Sequence, residues 1–292
     1  GDANDDAVLD LVNLDAANLI ISDTSGEAVA LVDIDGTGQD SLTITLDDWN
    51  ADTAGDLEVT DVDALTLTAR TTTTVSGVTS AITMTTIDDV TADSVETLNV
   101  TLAAVGKAAY SAAFTVDDIS ADTADSMSFS AGTYTTLAIG AVTNTGANVD
   151  ALTLTASDDS NLNIESIVMT GADVPVATIA VGIGAQLENA SNAPLTITAD
   201  TITATTITVG AAAEFRANLD FGGTTTLTAS SGSTVDIDAL SQDAETGSFT
   251  LSGRGTLTND IAVDGTTTLK MSGWTDANST DFIIDGSASE KL

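Results

Sequence analysis

The amino-acid sequence predicts an all-β protein, built as an elongated and irregular parallel β-solenoid. Three observations lead to this fold class. Hydroxyl and aliphatic residues alternate with a period of two, internal repeats recur at unequal steps, and the apolar residues are aliphatic rather than aromatic. A row of tandem β-sandwich domains is the competing architecture.

Short runs in which Thr or Ser alternates with an aliphatic residue occur along the chain, for example at 42–46, 65–68, 152–155 and 195–198. Successive side chains of a strand point to opposite faces, so this period predicts strands with one buried face. Clusters of Asp, Asn, Gly and Ser between the runs are typical of turns. Helical turns are expected only around Val8 to Leu19.

Internal repeats support a solenoid. Residues 47–59, 88–100 and 117–129 align without a gap, and residues 63–69 recur identically as 150–156. The aligned copies begin at unequal steps, from 47 to 88 and from 88 to 117. A propeller or a helical-repeat array holds its period better, whereas a solenoid tolerates turns of different length between short stacked strands. We expect coils of roughly 20–30 residues.

The repeats extend over most of the chain, so we expect residues 1–292 to form one elongated repeat domain. A subdivision into 1–130 and 131–292 is the alternative. We also expect the chain to be part of a larger protein, because its end at Leu292 interrupts a possible turn repeat. No apolar run reaches the roughly 18 residues of a membrane span, so membrane insertion is not expected.

The chain is strongly acidic, with 44 Asp and Glu against 6 Lys and Arg and a net charge of −38. Its 42% of hydrophobic residues are spread along the sequence, which argues against disorder. The few basic residues are not clustered, which argues against nucleic acid as a partner. Divalent cations are the natural counter-charges of such a surface.

Catalysis has little support in the composition. The chain has no His and no Cys, which excludes catalytic triads, thiol chemistry and most zinc sites. A carboxylate pair for glycoside hydrolysis is still allowed, but Trp49, Trp274, Tyr110 and Tyr134 are too dispersed to line a saccharide cleft. We therefore do not expect the chain to be an enzyme. The lack of cysteine is typical of an extracellular bacterial protein.

The sequence contains two aspartate-rich patterns. The first is the segment 33–42, which reads D-G-x-G-x-D-x-L from Asp35. The second is the aligned repeat, which places three aspartates within six residues; a bound cation would relieve their mutual repulsion. The second set of candidate ligands is Asp47, Asp48, Asp52, Asp88, Asp89, Asp93, Asp117, Asp118 and Asp122. The alternative interpretations are an Asp-Gly turn before a strand and solvated turn aspartates that bind nearby backbone amides.

The segment 33–42 resembles the nonapeptide of RTX proteins, with Asp35 in place of the first glycine. The resemblance implies a parallel β-roll whose glycine-rich turn exposes backbone carbonyls while an Asp side chain completes an oxygen cage for Ca²⁺. It implies Asp40 as the carboxylate ligand, and Gly36 and Gly38 as carbonyl donors. Asp33 and Asp35 complete this first candidate set.

In composition, in segments such as 95–100 and in this motif, the chain resembles RTX-type bacterial surface-layer (S-layer) proteins. The resemblance implies a secreted, extracellular protein at the bacterial cell surface that self-assembles into a Ca²⁺-dependent sheet. Its expected partners are copies of itself in a lattice or filament, and cell-surface polysaccharide through another region. The alternative is a stalk or repeat segment of a large RTX-type adhesin or extracellular filament.

Overall fold

The structure, a computed structural model, describes residues 7–12, 14–15, 17–22, 29–47, 55–71, 82–83, 87–105, 112–146, 149–189, 191–220, 223–241, 248–258, 266–269 and 275–276. These residues form strands and turns, with no helix among them and therefore no helix long and apolar enough to cross a membrane. The strands are β1 Ala7–Leu11, β2 Asn18–Ser22, β3 Val29–Gln39, β4 Leu42–Asp47, β5 Asp56–Val62, β6 Ala64–Arg70, β7 Ile82–Thr83, β8 Ile87–Thr91, β9 Thr97–Leu102, β10 Ala112–Ser120, β11 Ser126–Ala131, β12 Thr135–Asn144, β13 Ala151–Ala156, β14 Asn161–Val181, β15 Gln186–Glu188, β16 Leu195–Val209, β17 Glu214–Asp220, β18 Thr224–Ser241, β19 Ser248–Leu257, β20 Thr266–Leu269 and β21 Thr275–Asp276.

The strands pair in parallel with the strand one coil further along the chain. Ser126 lies beside Ala151, and Ala151 lies beside Val176, so one coil here spans 25 residues. Coils of other lengths stack equally well, because loops at the corners absorb the difference. This confirms the predicted all-β parallel β-solenoid; sandwiches, the competing architecture, are built from antiparallel sheets.

Each fully described coil has three sides, which we call faces A, B and C. Face C carries β7, residues 112–116, 135–139 and 161–164, β15, and residues 214–215, 234–237 and 255–257 with β21. Face B carries β1, β3, β5, β8 and residues 119–120, 142–144, 166–169, 195–199 and 217–220. Face A carries β2, β4, β6, β9, β11, β13, residues 176–181, 204–209, 224–229 and 248–253, and β20.

The core lies inside the coils and is built from aliphatic ladders. In β4, β6, β9 and β11 every second residue is buried, as the alternating sequence predicts. Phe114, Phe129, Phe215 and Phe249 are the largest fully buried side chains. Burying one large aliphatic side chain contributes about 1.5–3 kcal/mol, and each coil obtains that burial only by covering its neighbour.

A stacked β-turn joins face A to face C in successive coils. Its fourth residue bonds back to the carbonyl of its first; the Thr135 N–H donates to the Gly132 oxygen at 3.2 Å, and the Thr135 hydroxyl donates to the same oxygen at 2.6 Å. The third residue of each turn has a positive φ, between +53° and +80°. These residues are Tyr134, Asp159, Gly184, Ala212 and Gly232.

The expectation of helical turns around Val8 to Leu19 is wrong. Strands β1 and β2 occupy this segment, with Leu9 beside Val32 and Leu19 beside Ile44. A helix would satisfy backbone groups locally, but pairing with the following coil satisfies them as well and also packs Leu11 and Leu19 against the core.

Candidate functional site: the acidic corners of the coils

The first acidic corner lies between faces C and B and consists of Asp56, Asp88, Asp89, Asp117 and Asp118. In β10 the alternation of buried and exposed residues is interrupted, because Asp117 and Asp118 are both exposed between buried neighbours. In β8, Asp88 and Asp89 are likewise both exposed between buried neighbours. Asp118 lies beside Asp89 in the parallel register. Asp56 of the preceding coil lies next to Asp89, because the residues directly after these two aspartates pair in the parallel register. Carboxylates of successive coils are therefore stacked about 4.8 Å apart along the backbone.

Negative charge accumulates at this corner and contributes to a raised pKa of Asp89. Partial burial is the largest cause that raises the pKa of Asp89, and the charges of Asp56, Asp118, Asp88 and Asp117 raise it further. Asp118 is held by the following coil, because the Ala141 N–H donates to its Oδ1 at 2.7 Å. The corner is thus a place where a bound cation would remove an existing electrostatic cost.

The corner between faces B and A carries Asp93 and Asp122, one coil apart. The Ser120 hydroxyl donates to Oδ1 of Asp93 at 2.7 Å, and the Asp122 N–H donates to the same oxygen at 3.4 Å. Asp122 repeats the arrangement, since its Oδ1 accepts the Thr145 N–H at 3.2 Å. These carboxylates satisfy backbone amides of the following coil, which is the role that turn aspartates commonly have.

The structure separates the three aspartates of one repeat and brings together equivalent aspartates of the second and third copies, whereas the first copy is not in register with them. Asp117 and Asp118 lie at the first acidic corner, whereas Asp122 lies beyond the end of β10. Asp47 ends β4 and forms an ion pair with Arg70 at 3.0 Å. Asp48 and Asp52 lie outside the described residues. Within the described part of the chain, no three carboxylates are arranged to hold a metal ion.

The RTX-like segment is an irregular stretch of β3. Gly36 and Gly38 lie within the strand, where the register with β5 shifts between Asp35 and Gln39. Gly36 is buried, and a Cβ there would lie 2.3 Å from Cγ2 of Val62. A glycine is therefore required at position 36 for close packing of two coils.

The carboxylates of this segment have different surroundings. Asp33 is half-buried on face B, between Asp10 and Glu58 of the neighbouring coils in the register. Asp35 is also half-buried and lies beside Thr60. Asp40 follows β3 and is exposed. Asp10, Asp33 and Glu58 therefore form a further acidic row across three coils.

Sequence reasoning missed a second acidic corner, formed by Asp63, Glu96, Asp125 and Asp150. Each residue is exposed and precedes a strand of face A. Backbone bonds join them in series, because each of the last three donates its N–H to the carbonyl oxygen of the one before. The sequence contained one signal of this corner, because residues 63–69 recur as 150–156 and both copies begin with an aspartate.

Sequence reasoning also missed a cluster around Arg216. Its guanidinium forms ion pairs with Glu214, with Glu188 at 3.5 Å and with Asp236 at 3.8 Å, and donates to the Asn192 carbonyl at 2.6 Å. Burial is the main cause that raises the pKa of Glu188, and Glu214 adds to it while Arg216 opposes it. The cluster fastens the loop after β15 to face C, which is a structural role.

A shallow groove runs across the turn stack beside face A. Thr155, Asp158, Ile183 and Thr208 are among its lining residues, and Asp158 is its only carboxylate within the described part of the chain. Oδ1 of Asp158 accepts the Ile183 N–H at 2.8 Å. The groove therefore lacks the second carboxylate that glycoside hydrolysis uses.

Comparison of the chain with protein-family models, curated proteins and solved structures gives no match.

Proposed function

We propose that the chain is a structural segment of a secreted, Ca²⁺-dependent bacterial surface layer, which assembles with copies of itself into a sheet. The observation that carries the proposal is the first acidic corner. It stacks carboxylates of successive coils beside Asp89, whose pKa is raised by burial and by those neighbours. A fold that places like charges in columns is stabilised by a cation that binds the columns.

Calcium suits such columns better than magnesium does. Ca²⁺ accepts six to eight oxygen ligands at about 2.3–2.6 Å in flexible geometry, whereas Mg²⁺ demands near-ideal octahedral geometry and gives up its water reluctantly. Carboxylates spaced about 4.8 Å apart along the coil axis offer oxygens in an open row rather than a closed octahedral cage. With a net charge of −38, Ca²⁺ would also reduce the repulsion between copies of the chain.

The geometry of the rod supports a structural role at the cell surface. Acidic columns along its corners are accessible to a neighbouring copy, so a cation bound there can contact both. The absence of cysteine and the resemblance to RTX-type surface-layer proteins support the extracellular location. This proposal does not require a catalytic residue in the chain.

Light scattering and electron microscopy across a Ca²⁺ series test the proposal. We expect assemblies to form as Ca²⁺ is added and to disperse with chelator. The combined substitutions Asp88→Asn and Asp117→Asn, in the first acidic corner, should raise the Ca²⁺ concentration needed. Asp158→Asn is the matched control, because it removes an exposed charge outside both corners and keeps the oxygen that accepts the Ile183 N–H. A monomer at every Ca²⁺ concentration would contradict a surface layer and favour the adhesin alternative.

A further inference from the structure

Face A presents a two-rank array of side chains, all of them hydroxyl residues except Asn99 and Ala180, which we call the threonine face. In each rank, neighbouring members lie side by side in the parallel register of consecutive coils. The residue between the two ranks is buried in each of the coils from β4 to β19. The first rank is Thr43, Thr66, Asn99, Ser128, Thr153, Thr178, Thr206, Thr226 and Thr250. The second rank is Thr45, Thr68, Thr101, Ser130, Thr155, Ala180, Thr208, Thr228 and Ser252.

The array is regular because the backbone below it is regular. The register shifts of the described strands lie on face B or at the corners, and face A pairs without interruption from β2 to β20. Side chains therefore repeat at about 4.8 Å from coil to coil and at about 6.6 Å from rank to rank. Threonine is β-branched and stiff at χ1, so its hydroxyl and methyl groups are held at these spacings with little entropy left to lose.

The threonine face is uncharged although the chain carries a net charge of −38. No member of either rank is ionisable, and the carboxylates of the second acidic corner lie at the border of the face. The Asp47–Arg70 ion pair, at the ends of β4 and β6, is neutral as a pair. A partner of this face is therefore neutral and is recognised by hydrogen bonds and shape.

Most hydroxyls of the array form no hydrogen bond to another member of the array within the described residues. Within the described residues, two pairs bond inside the array: Thr228 with Ser252 at 3.0 Å, and the Asn99 amide to the Thr66 hydroxyl at 3.5 Å. The array can therefore donate and accept bonds outward at many lattice points. One contact of this kind is weak, but many equally spaced contacts add up on a partner with the same repeat.

We propose that the threonine face binds ice. An ice surface is uncharged, and it offers hydrogen-bond donors and acceptors in a fixed two-dimensional lattice. On the prism faces of hexagonal ice, oxygen atoms repeat in two perpendicular directions, as the coils and ranks of the array do. Water held by stiff threonines is already ordered in two directions, so less immobilisation entropy is lost when it joins the crystal. This activity goes beyond the proposed structural role and does not depend on it.

Ice affinity of the full 292-residue chain tests the inference, measured in Ca²⁺-containing buffer at a concentration where the chains are dispersed. The readouts are partition of labelled chain into a slowly growing ice front and the freezing-point hysteresis. We expect the chain to enter the ice and Thr153→Tyr, at the middle of the first rank, to lower the ice-bound fraction several-fold. Thr136→Tyr is the matched control, since Thr136 is a half-buried strand threonine on face C, and it should bind ice as the unchanged chain does.

Several outcomes would overturn the inference. A chain that is excluded from ice and shows no hysteresis does not bind it. Equal ice binding by Thr153→Tyr and Thr136→Tyr, with both variants folded by circular dichroism, assigns the activity to another surface. If Thr153→Tyr instead reduces only Ca²⁺-dependent assembly, the threonine face is a contact between copies of the chain. Failure of the surface-layer proposal would leave the ice measurement unaffected, because it uses dispersed chains.

Discussion

At the scale of single residues, the parallel register gives each corner aspartate a like-charged neighbour. Asp89 has Asp118 on one side and Asp56 on the other, and burial together with these charges raises its pKa. A raised pKa means that the folded state binds the proton more tightly than the unfolded state does. The resulting stabilisation is complete below the unfolded pKa, near 3.9, and is lost as the pH rises through the folded value.

Asp89→Asn should therefore raise the free energy of unfolding at neutral pH in the absence of Ca²⁺, because it removes the repelled charge. The gain should be below about 1 kcal/mol, since the site is exposed and screened. It should shrink as the pH falls and Asp89 of the unchanged chain becomes protonated. Urea unfolding at several pH values measures it, with Asp158→Asn as the control for a general loss of negative charge. An equal gain at pH 3 and pH 7 would contradict the electrostatic explanation.

At the scale of elements, the turn stack between faces A and C shows how coils of different sequence adopt the same shape. In the five turns 132–135, 157–160, 182–185, 210–213 and 230–233 the third residue has a positive φ, whether it is a glycine, as at Gly184 and Gly232, or an alanine, as at Ala212. An L-residue in the left-handed region costs roughly 1–2 kcal/mol, and glycine avoids that cost. The fold therefore holds Ala212 in a conformation that its side chain disfavours.

Ala212→Gly should stabilise the chain by up to about 1 kcal/mol, because relief of the left-handed strain exceeds the entropy that glycine loses on folding. Ala211→Gly is the matched control one residue earlier. Ala211 does not have a positive φ, so the same change there should destabilise by about 0.5–1 kcal/mol. Thermal unfolding of the two variants, compared with the unchanged chain, provides the measurement. The same sign for both substitutions would contradict this account of the turn.

At the scale of the whole molecule, burial and charge oppose each other. The aliphatic ladders form one core cluster from Ile34 to Leu257, while a net charge of −38 pushes the coils and corners apart. Self-repulsion of this kind destabilises the compact state. A ligand that binds only the folded state stabilises it by mass action. The acidic corners are present as columns only when the coils are stacked.

We therefore expect millimolar Ca²⁺ to raise the melting temperature, and Mg²⁺ at the same concentration to raise it less because of its stricter geometry. NaCl at matched ionic strength controls for general screening, which shortens the reach of exposed charges. Differential scanning calorimetry with Ca²⁺, with Mg²⁺ and with chelator distinguishes these cases. Identical melting with Ca²⁺ and with chelator at low salt would show that the corners bind no calcium.

The direction of most strand side chains could be predicted from the sequence alone. In 152–155 the alternation of Leu and Thr already indicated that Leu152 and Leu154 are buried and that the threonines face outward, as the structure has them. Direction is a local property, because successive residues of a strand alternate between its faces. The solenoid followed from it, since many short strands with one apolar face must cover one another.

Tertiary structure alone decided which residues lie beside each other. Thr153 lies between Ser128 and Thr178, and Asp89 lies beside Asp118, although the sequence steps that separate these pairs differ. Those steps depend on corner loops whose lengths vary from coil to coil, so the threonine ranks were not readable as rows. The alignment of 88–100 with 117–129 did match Asp89 with Asp118, but that of 47–59 with 88–100 matched Asp89 with Asp48, whereas the structure places Asp56 there. The ion pair of Arg216 with Glu188 was hidden for the same reason. Side-chain direction is set within two residues, whereas register is set by backbone bonds to a coil more than twenty residues away.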